Sequence, residues 1–204
     1  MEKIDLKKDL KNLYNPSSKE FQIIKVPKMN FLMIDGSGDP NTSKEYASAI
    51  EALYAVSYTI KFMVKKQKVI DYVVMPLEGL WWAENMSAFL MKNKQSWKWT
   101  SLIMQPDFVD RKTVDEAIKI AGAKKDLPGM AGLRFESFEE GLSVQIMYFG
   151  PYSEEEPTIE EMHKFILDTG FKLRGKHHEI YLSDPRKTAP EKIKTVIRQP
   201  ISEK

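Results

Sequence analysis

A glutamate two residues before a tyrosine, inside a run that reads as a strand, is the arrangement in this chain best suited to chemistry: His177-His178-Glu179-Ile180-Tyr181-Leu182. Side chains alternate along a strand, so Glu179, Tyr181 and His177 share one face while Ile180 and Leu182 share the other. If helices cover only the aliphatic face, Glu179 and Tyr181 face a cleft. Glutamate is disfavoured in strands, so its place there asks for a reason. An aromatic wall offers contact area and a negative ring face to flat or cationic ligands, and a partly desolvated carboxylate pairs with a cation or acts as a base.

A second isolated glutamate, Glu78, stands in Pro76-Leu77-Glu78-Gly79-Leu80-Trp81-Trp82. Alternation puts Trp82 on its face, unless a bulge at Gly79 substitutes Trp81. Two such carboxylates within reach of each other could divide general acid and base roles. Tyr148 and Tyr152 flank the Phe149-Gly150-Pro151 turn, and Trp97 and Trp99 share a face of a later strand, so Tyr148, Tyr152 and Trp99 complete the candidate aromatic lining.

Several other chemistries are excluded or unsupported. There is no cysteine among the 204 residues, which removes disulfides, thiolate nucleophiles and iron–sulfur ligation. Three histidines without helical pairing give no metal site, and no cofactor is expected. Gly36-Ser37-Gly38 lacks the rest of a dinucleotide or phosphate loop, and no Gly-x-Ser-x-Gly elbow occurs. Lys and Arg total 31 against 29 Asp and Glu, a net charge of +2, too balanced for a phosphate-tracking surface, so direct nucleic-acid binding is not expected. No apolar run opens the chain, and a cytoplasmic protein without membrane attachment is expected.

The elements that must position these residues follow from periodicity. Residues 1–18 read as one short N-terminal helix ending at Asn15-Pro16. Strands then run through Phe21–Val26 and Met29–Gly36, interrupted at Pro27-Lys28. A long helix carries Ile50, Leu53, Tyr54, Ile60 and Val64 and ends in lysines that suit its carbonyl end. Strand-like segments follow at 69–84 and 97–107, then a helix over 114–124. The segments 133–138 and 142–150 read as a hairpin across Glu139-Glu140-Gly141, followed by a helix over 158–169 and two last strand regions.

The halves echo one another. Each contains a strand, a Gly-rich turn, a helix, a strand bearing an isolated glutamate, and a closing strand. The closing strands Ser101–Pro106 and Thr195–Pro200 read alike, and Glu78 falls where Glu179 falls in the second half. We expect an α+β fold of duplicated βαββ units with pseudo-two-fold symmetry, an antiparallel sheet, helices on one face and a central ligand cleft. Residues 1–18 form a helical extension and 19–204 a single domain whose repeats span about 19–107 and 131–202.

The run Gln145–Tyr152 with the acidic residues after it, the helix to Gly170, Glu179-Ile180-Tyr181-Leu182-Ser183-Asp184-Pro185, and the closing strand resemble the GyrI-like small-molecule-binding family over about residues 20 to 202. The resemblance implies the duplicated βαββ fold. It also implies a ligand-facing glutamate at Glu179, the place held in drug-sensing regulators by the glutamate that meets cationic drugs. Pro76-Leu77-Glu78-Gly79-Leu80-Trp81-Trp82 is similar to a stretch of free-standing members that hydrolyse cyclopropane-containing genotoxins. On that likeness Glu179 is the base, Tyr181 or Tyr148 donates to the departing side, Trp81 or Trp82 stacks on the substrate, and Glu78 orients water or base. The alternatives implied are a non-catalytic multidrug-binding or sequestering domain, or a gyrase-interacting protein. No DNA-binding module accompanies the domain, which counts against a regulator acting alone.

Overall fold

The computed structural model describes residues 2–83 and 94–203. The expected end of a strand at Glu84 lies outside the described residues. The elements in chain order are β1 (Glu2–Ile4), α1 (Leu6–Asp9), α2 (Lys11–Tyr14), β2 (Gln22–Ser37), α3 (Lys44–Lys68), β3 (Ile70–Tyr72), β4 (Leu77–Trp82), β5 (Lys98–Gln105), α4 (Arg111–Lys124), β6 (Arg134–Phe149), α5 (Glu156–Asp168), β7 (Phe171–Leu173), β8 (His177–Tyr181) and β9 (Lys194–Glu203). The fold is α+β with antiparallel strand pairing throughout the larger sheet segments. The chain divides into two compact units, one of residues 1–9 and 29–138 and one of residues 10–28 and 139–204.

The first unit contains strand, helix, strand, strand in the order β2, α3, β4, β5. From Asn30, β2 pairs with β5, and β5 pairs with β4. The helix α3 is capped by Ser43, whose hydroxyl accepts from the Tyr46 amide at 3.2 Å. Its apolar stripe, Ala52, Leu53, Val56, Ile60 and Val64, is fully buried. Gln105 reaches Ser57 of this helix at 3.3 Å, which fixes the face of β5 that α3 covers. Gly36 lies directly across from Trp99, and the indole occupies the space a side chain would need: a Cβ at Gly36 would stand 2.2 Å from Cζ2 of Trp99. Gly36→Ala is therefore expected to cost about 1–3 kcal/mol through displacement of that ring. Gly132→Ala, whose new methyl would meet only Ile34 at 3.6 Å, is the control. Thermal denaturation followed by tryptophan fluorescence compares the two.

The second unit repeats the order with the rest of β6, α5, β8 and β9. Here β9 pairs with β6, β8 and β7, all antiparallel. Val144, Ile146, Ile197 and Ile201 form a core with Met162 and Ile166 of α5. The opposite face of these strands carries a buried polar group. Glu140 accepts from Arg198 at 3.1 Å and contacts His178 Nδ1 at 3.0 Å. Arg198 also donates to Gln145 and to the Leu13 carbonyl at 2.7 Å, while Gln145 donates to the Asn12 carbonyl at 2.6 Å. The N-terminal segment is thus tied to the sheet by two side-chain-to-backbone hydrogen bonds, one from the Arg198 guanidinium and one from the Gln145 amide.

Three expectations about elements are corrected. Residues 2–4 form a strand, parallel to β3, where one helix was expected, because their backbone pairs with the short strand Ile70–Tyr72. β2 runs unbroken through Pro27. The hairpin expected at Glu139-Glu140-Gly141 is a continuous strand. Glu140 supplies the reason: its carboxylate points inward to Arg198 and His178, so the acidic pair there is not a solvated turn.

Candidate functional site

The site is assembled on three neighbouring strands of the second unit. Tyr148 of β6 and Tyr181 of β8 both lie opposite Thr195 of β9, forming one cross-strand row. The next row is Ile146, Ile197 and Glu179. Opposed residues of a ladder share a face. Ile146 and Ile197 pack against α5, so Glu179, Tyr181 and Tyr148 face that helix. This reverses the expectation that Ile180 would face the helix. Ile180 lies instead opposite Val196, fully buried on the other side, the side that Arg198 ties to the N-terminal segment. Alternation grouped the residues correctly, but both faces are covered, so apolar character does not tell which one carries the helix.

Glu179 has a polar neighbour at each carboxylate oxygen and a hydrogen bond at one. The Tyr181 hydroxyl donates to Oε2 at 2.8 Å, and His177 Nε2 stands 3.3 Å from Oε1. Its side chain keeps 16% of its surface exposed, enough to meet a ligand. Tyr152, half-exposed, packs its edge against the Tyr181 ring, with centroids 5.4 Å apart and planes at 75°. The Tyr148 hydroxyl donates to the Pro151 carbonyl at 3.2 Å. Its ring folds back over Gly150, where φ is +149° and where a Cβ would lie 2.3 Å from the hydroxyl, so the turn depends on glycine. Both tyrosine hydroxyls are thus engaged within the protein, one on the glutamate and one on the turn.

A residue that sequence reasoning passed over stands beside them. Glu155 immediately precedes α5 and is 3% exposed, and its Oε1 has no hydrogen-bond partner among the described residues. Burial, reinforced by the charge of Glu179, pushes its carboxyl up to about 9. Burial likewise raises the Tyr148 hydroxyl, with Glu155 and Glu154 adding to the effect. On α5 itself, His163 is held down to about 4 by burial and by the charge of His177. The one signal in the sequence was the acidic run Glu154-Glu155-Glu156 before Pro157, a pattern that ordinarily marks a solvated first helical turn.

In the first unit the candidates divide between two faces. β4 and β5 pair residue for residue from Leu77 with Ile103 to Trp82 with Lys98, with no bulge at Gly79. Trp82 accordingly shares the face of Glu78 and Leu80. Trp81 lies opposite Trp99 on the α3 side, where Tyr46 packs against both indoles at 5.8 and 5.0 Å. Trp81 and Trp99 are buried to within 3% and wall this core. Glu78 is 1% exposed on the side away from α3. The two glutamates are not at matching register positions: Glu78 lies opposite Leu102, whereas Glu179 lies opposite Ile197, which corresponds to Ile103 in the likeness of the closing strands. Each glutamate therefore has its own relation to the helix of its unit.

Among the described residues no group of three or more His, Cys, Asp or Glu side chains is disposed to hold a metal ion. No helix of the described residues is long and apolar enough to cross a membrane.

The GyrI-like small molecule binding domain family matches residues 19–202. No curated protein matches the chain. Among solved structures, an uncharacterized conserved protein from Listeria innocua is 46% identical, with a TM-score of 0.90 over 98% of this chain and 100% of its own. Two structures described as hydrolases from Listeria innocua are 45% and 44% identical, with TM-scores of 0.87 and 0.84 over 98% of this chain and 100% of theirs.

Proposed function

The chain belongs to the GyrI-like small-molecule-binding family, and from that premise we propose that it binds flat hydrophobic or cationic small molecules beside Glu179 and hydrolyses an electrophilic subset, cyclopropane-containing genotoxins. The identity to two hydrolases supports turnover, and the single observation that carries the reading is the Glu179 carboxylate, held by Tyr181 and partly open beside the Tyr152 ring. The role is detoxification in the cytoplasm, without a cofactor.

A cyclopropane conjugated to a carbonyl is already an electrophile, so the protein must position a water and take its proton. Glu179 accepts that proton as the water oxygen bonds to a ring carbon. The ring C–C bond breaks, and its electron pair passes into the conjugated carbonyl as an enolate. The proton held on Glu179 then passes to the enolate, so that one water is added overall and the carboxylate is restored. The Tyr181 hydroxyl, donating to Glu179, orients the base and is not the donor to the leaving side. Tyr148, donating to Pro151, is likewise assigned to shaping the site. Tyr152 supplies the aromatic contact in this unit. In the first unit Trp82 shares the face of Glu78, while Trp81 and Trp99 wall the α3 side.

Wild-type protein incubated with excess of an aryl cyclopropyl ketone is expected to consume many equivalents, followed by loss of the conjugated absorbance. Saturable binding with no product would withdraw the hydrolase claim and leave a sequestering domain.

A further inference from the structure

The outer face of α3 carries aromatic rings where a surface helix ordinarily carries charge. We propose that this face is a self-association surface, on which a second copy of the chain lays its own α3 antiparallel about a two-fold axis at Tyr58. The inference stands apart from the Glu179 site and does not depend on its chemistry.

α3 has two apolar stripes. One is the buried stripe that includes Leu53, Ile60 and Val64 and packs into the first unit. The other is Tyr54, Tyr58 and Phe62, which recur every four residues and so follow one another along a single ridge. Their rings stand in line, with centroids 6.3 and 6.5 Å apart and successive planes at 30° and 31°. The ridge is open to water, since Tyr58 is 46% and Phe62 61% exposed. Tyr and Phe are poorer helix formers than the Glu, Lys or Gln usual on such a face, and ring contacts within one helix add only modestly to its stability. A contiguous exposed apolar ridge is the mark of an interaction surface.

Charge selects the occupant and its direction. Glu51 stands seven residues before Tyr58 and Lys65 seven residues after it. Seven residues fall only about 20° short of two full turns, so both charges lie on the face of the ridge. A second α3 turned antiparallel about Tyr58 brings its Lys65 level with Glu51 and its Glu51 level with Lys65. Tyr54 of each copy comes level with Phe62 of the other, and Tyr58 meets its own counterpart on the axis. Such a face is complementary to itself, which is what a closed two-fold dimer requires. A parallel pairing would set Glu51 against Glu51 and Lys65 against Lys65, with repulsion at both ends. Within the monomer Glu51 is bonded to Lys125 and Lys65 to Asp71 at 2.7 Å, yet the Glu51 and Lys65 side chains remain 48% and 39% exposed. Exposed pairs of this kind hold their partners weakly, so both groups are available to a second copy.

Sedimentation velocity of the full chain from about 1 µM to about 200 µM reads the association directly. Wild type is expected to pass from monomer to dimer with a Kd of about 10–100 µM, in keeping with an interface of one helix face. Tyr58→Glu places two like charges on the axis and should raise Kd about a hundredfold, leaving a monomer throughout. Where that variant does not fold, Phe62→Glu takes its place. Glu51→Lys and Lys65→Glu should each weaken association about tenfold at low salt, because each turns both end contacts from attraction to repulsion. An equimolar mixture of these two variants should recover the wild-type Kd, since each copy then offers one sign at both ends to the opposite sign on the other. A wild type that stays monomeric overturns the proposal and leaves the ridge to a different protein or to a membrane surface. A dimer that survives Tyr58→Glu or Phe62→Glu is built on another face and overturns it too. Charge variants that associate as wild type does, or a mixture that fails to recover, overturn the antiparallel pairing.

Discussion

Glu179→Gln is expected to lower kcat for a cyclopropyl electrophile by about three orders of magnitude while leaving the affinity for a neutral planar ligand within about threefold. A positioned general base contributes on the order of 10²–10⁴ to a rate. The amide is nearly isosteric and still offers an oxygen to the Tyr181 hydroxyl, so the 2.8 Å contact and the strand around it survive. The basic lone pair is what disappears. Binding follows a different logic, since a neutral aromatic ligand gains contact area on Tyr152 and the neighbouring rings with no need of the carboxylate charge. A variant with unchanged kcat would remove Glu179 from the chemistry, and a variant that lost kcat and neutral-ligand affinity together would point to a damaged site.

The second large effect concerns stability. Glu140→Ala is expected to cost about 3–5 kcal/mol, the range for removing one partner of a buried ion pair, because the buried Arg198 guanidinium would keep its charge, and His178 Nδ1 would lose its partner, without the carboxylate. For a chain of this size that lowers Tm by roughly 10 °C. Burial alone would raise the Glu140 carboxyl, yet the charges of His178 and Arg198, with their hydrogen bonds, hold it down to about 2. A carboxyl lower in the folded state than in the unfolded state stabilises the fold above its unfolded value and loses that contribution as pH falls through its folded value. Wild type should therefore lose stability progressively between about pH 5 and pH 2, by about 3 kcal/mol from this group. Glu140→Gln should lack that share of the acid dependence. Urea titrations at several pH values measure both effects, and a Tm within 2 °C of wild type for Glu140→Ala would contradict the account.

What the sequence disclosed and what it withheld have separate physical reasons. The long helix was legible because Leu53, Ile60 and Val64 recur with helical spacing and are buried as that spacing requires. The grouping of Glu179 with Tyr181, and of Trp82 with Glu78, follows from strand alternation and holds wherever the ladder has no bulge, as it has none at Gly79. Which face looks at the helix was not legible. Ile180 is apolar and buried as expected, but it is buried toward the side where Arg198 meets the N-terminal segment. Glu155 was hidden for a related reason. Between two other glutamates and before a proline it has the local features of an exposed helix start, and only the packing of α5 against β6 and β9 turns it inward. Glu140 shows the same limit, since an acidic pair beside glycine resembles a turn until the distant Arg198 is known to meet it. Local pattern reports the period of an element, and long-range partners decide which polar residues are buried.

The central claim is that Glu179 turns a bound water into the nucleophile. Its most direct measurement is single-turnover reaction of wild type with an aryl cyclopropyl ketone in ¹⁸O-labelled water, with mass analysis of product and protein. The account predicts one labelled oxygen in the ring-opened product and an unlabelled Glu179 carboxylate. Label in that carboxylate, or a product formed without solvent oxygen, would contradict it.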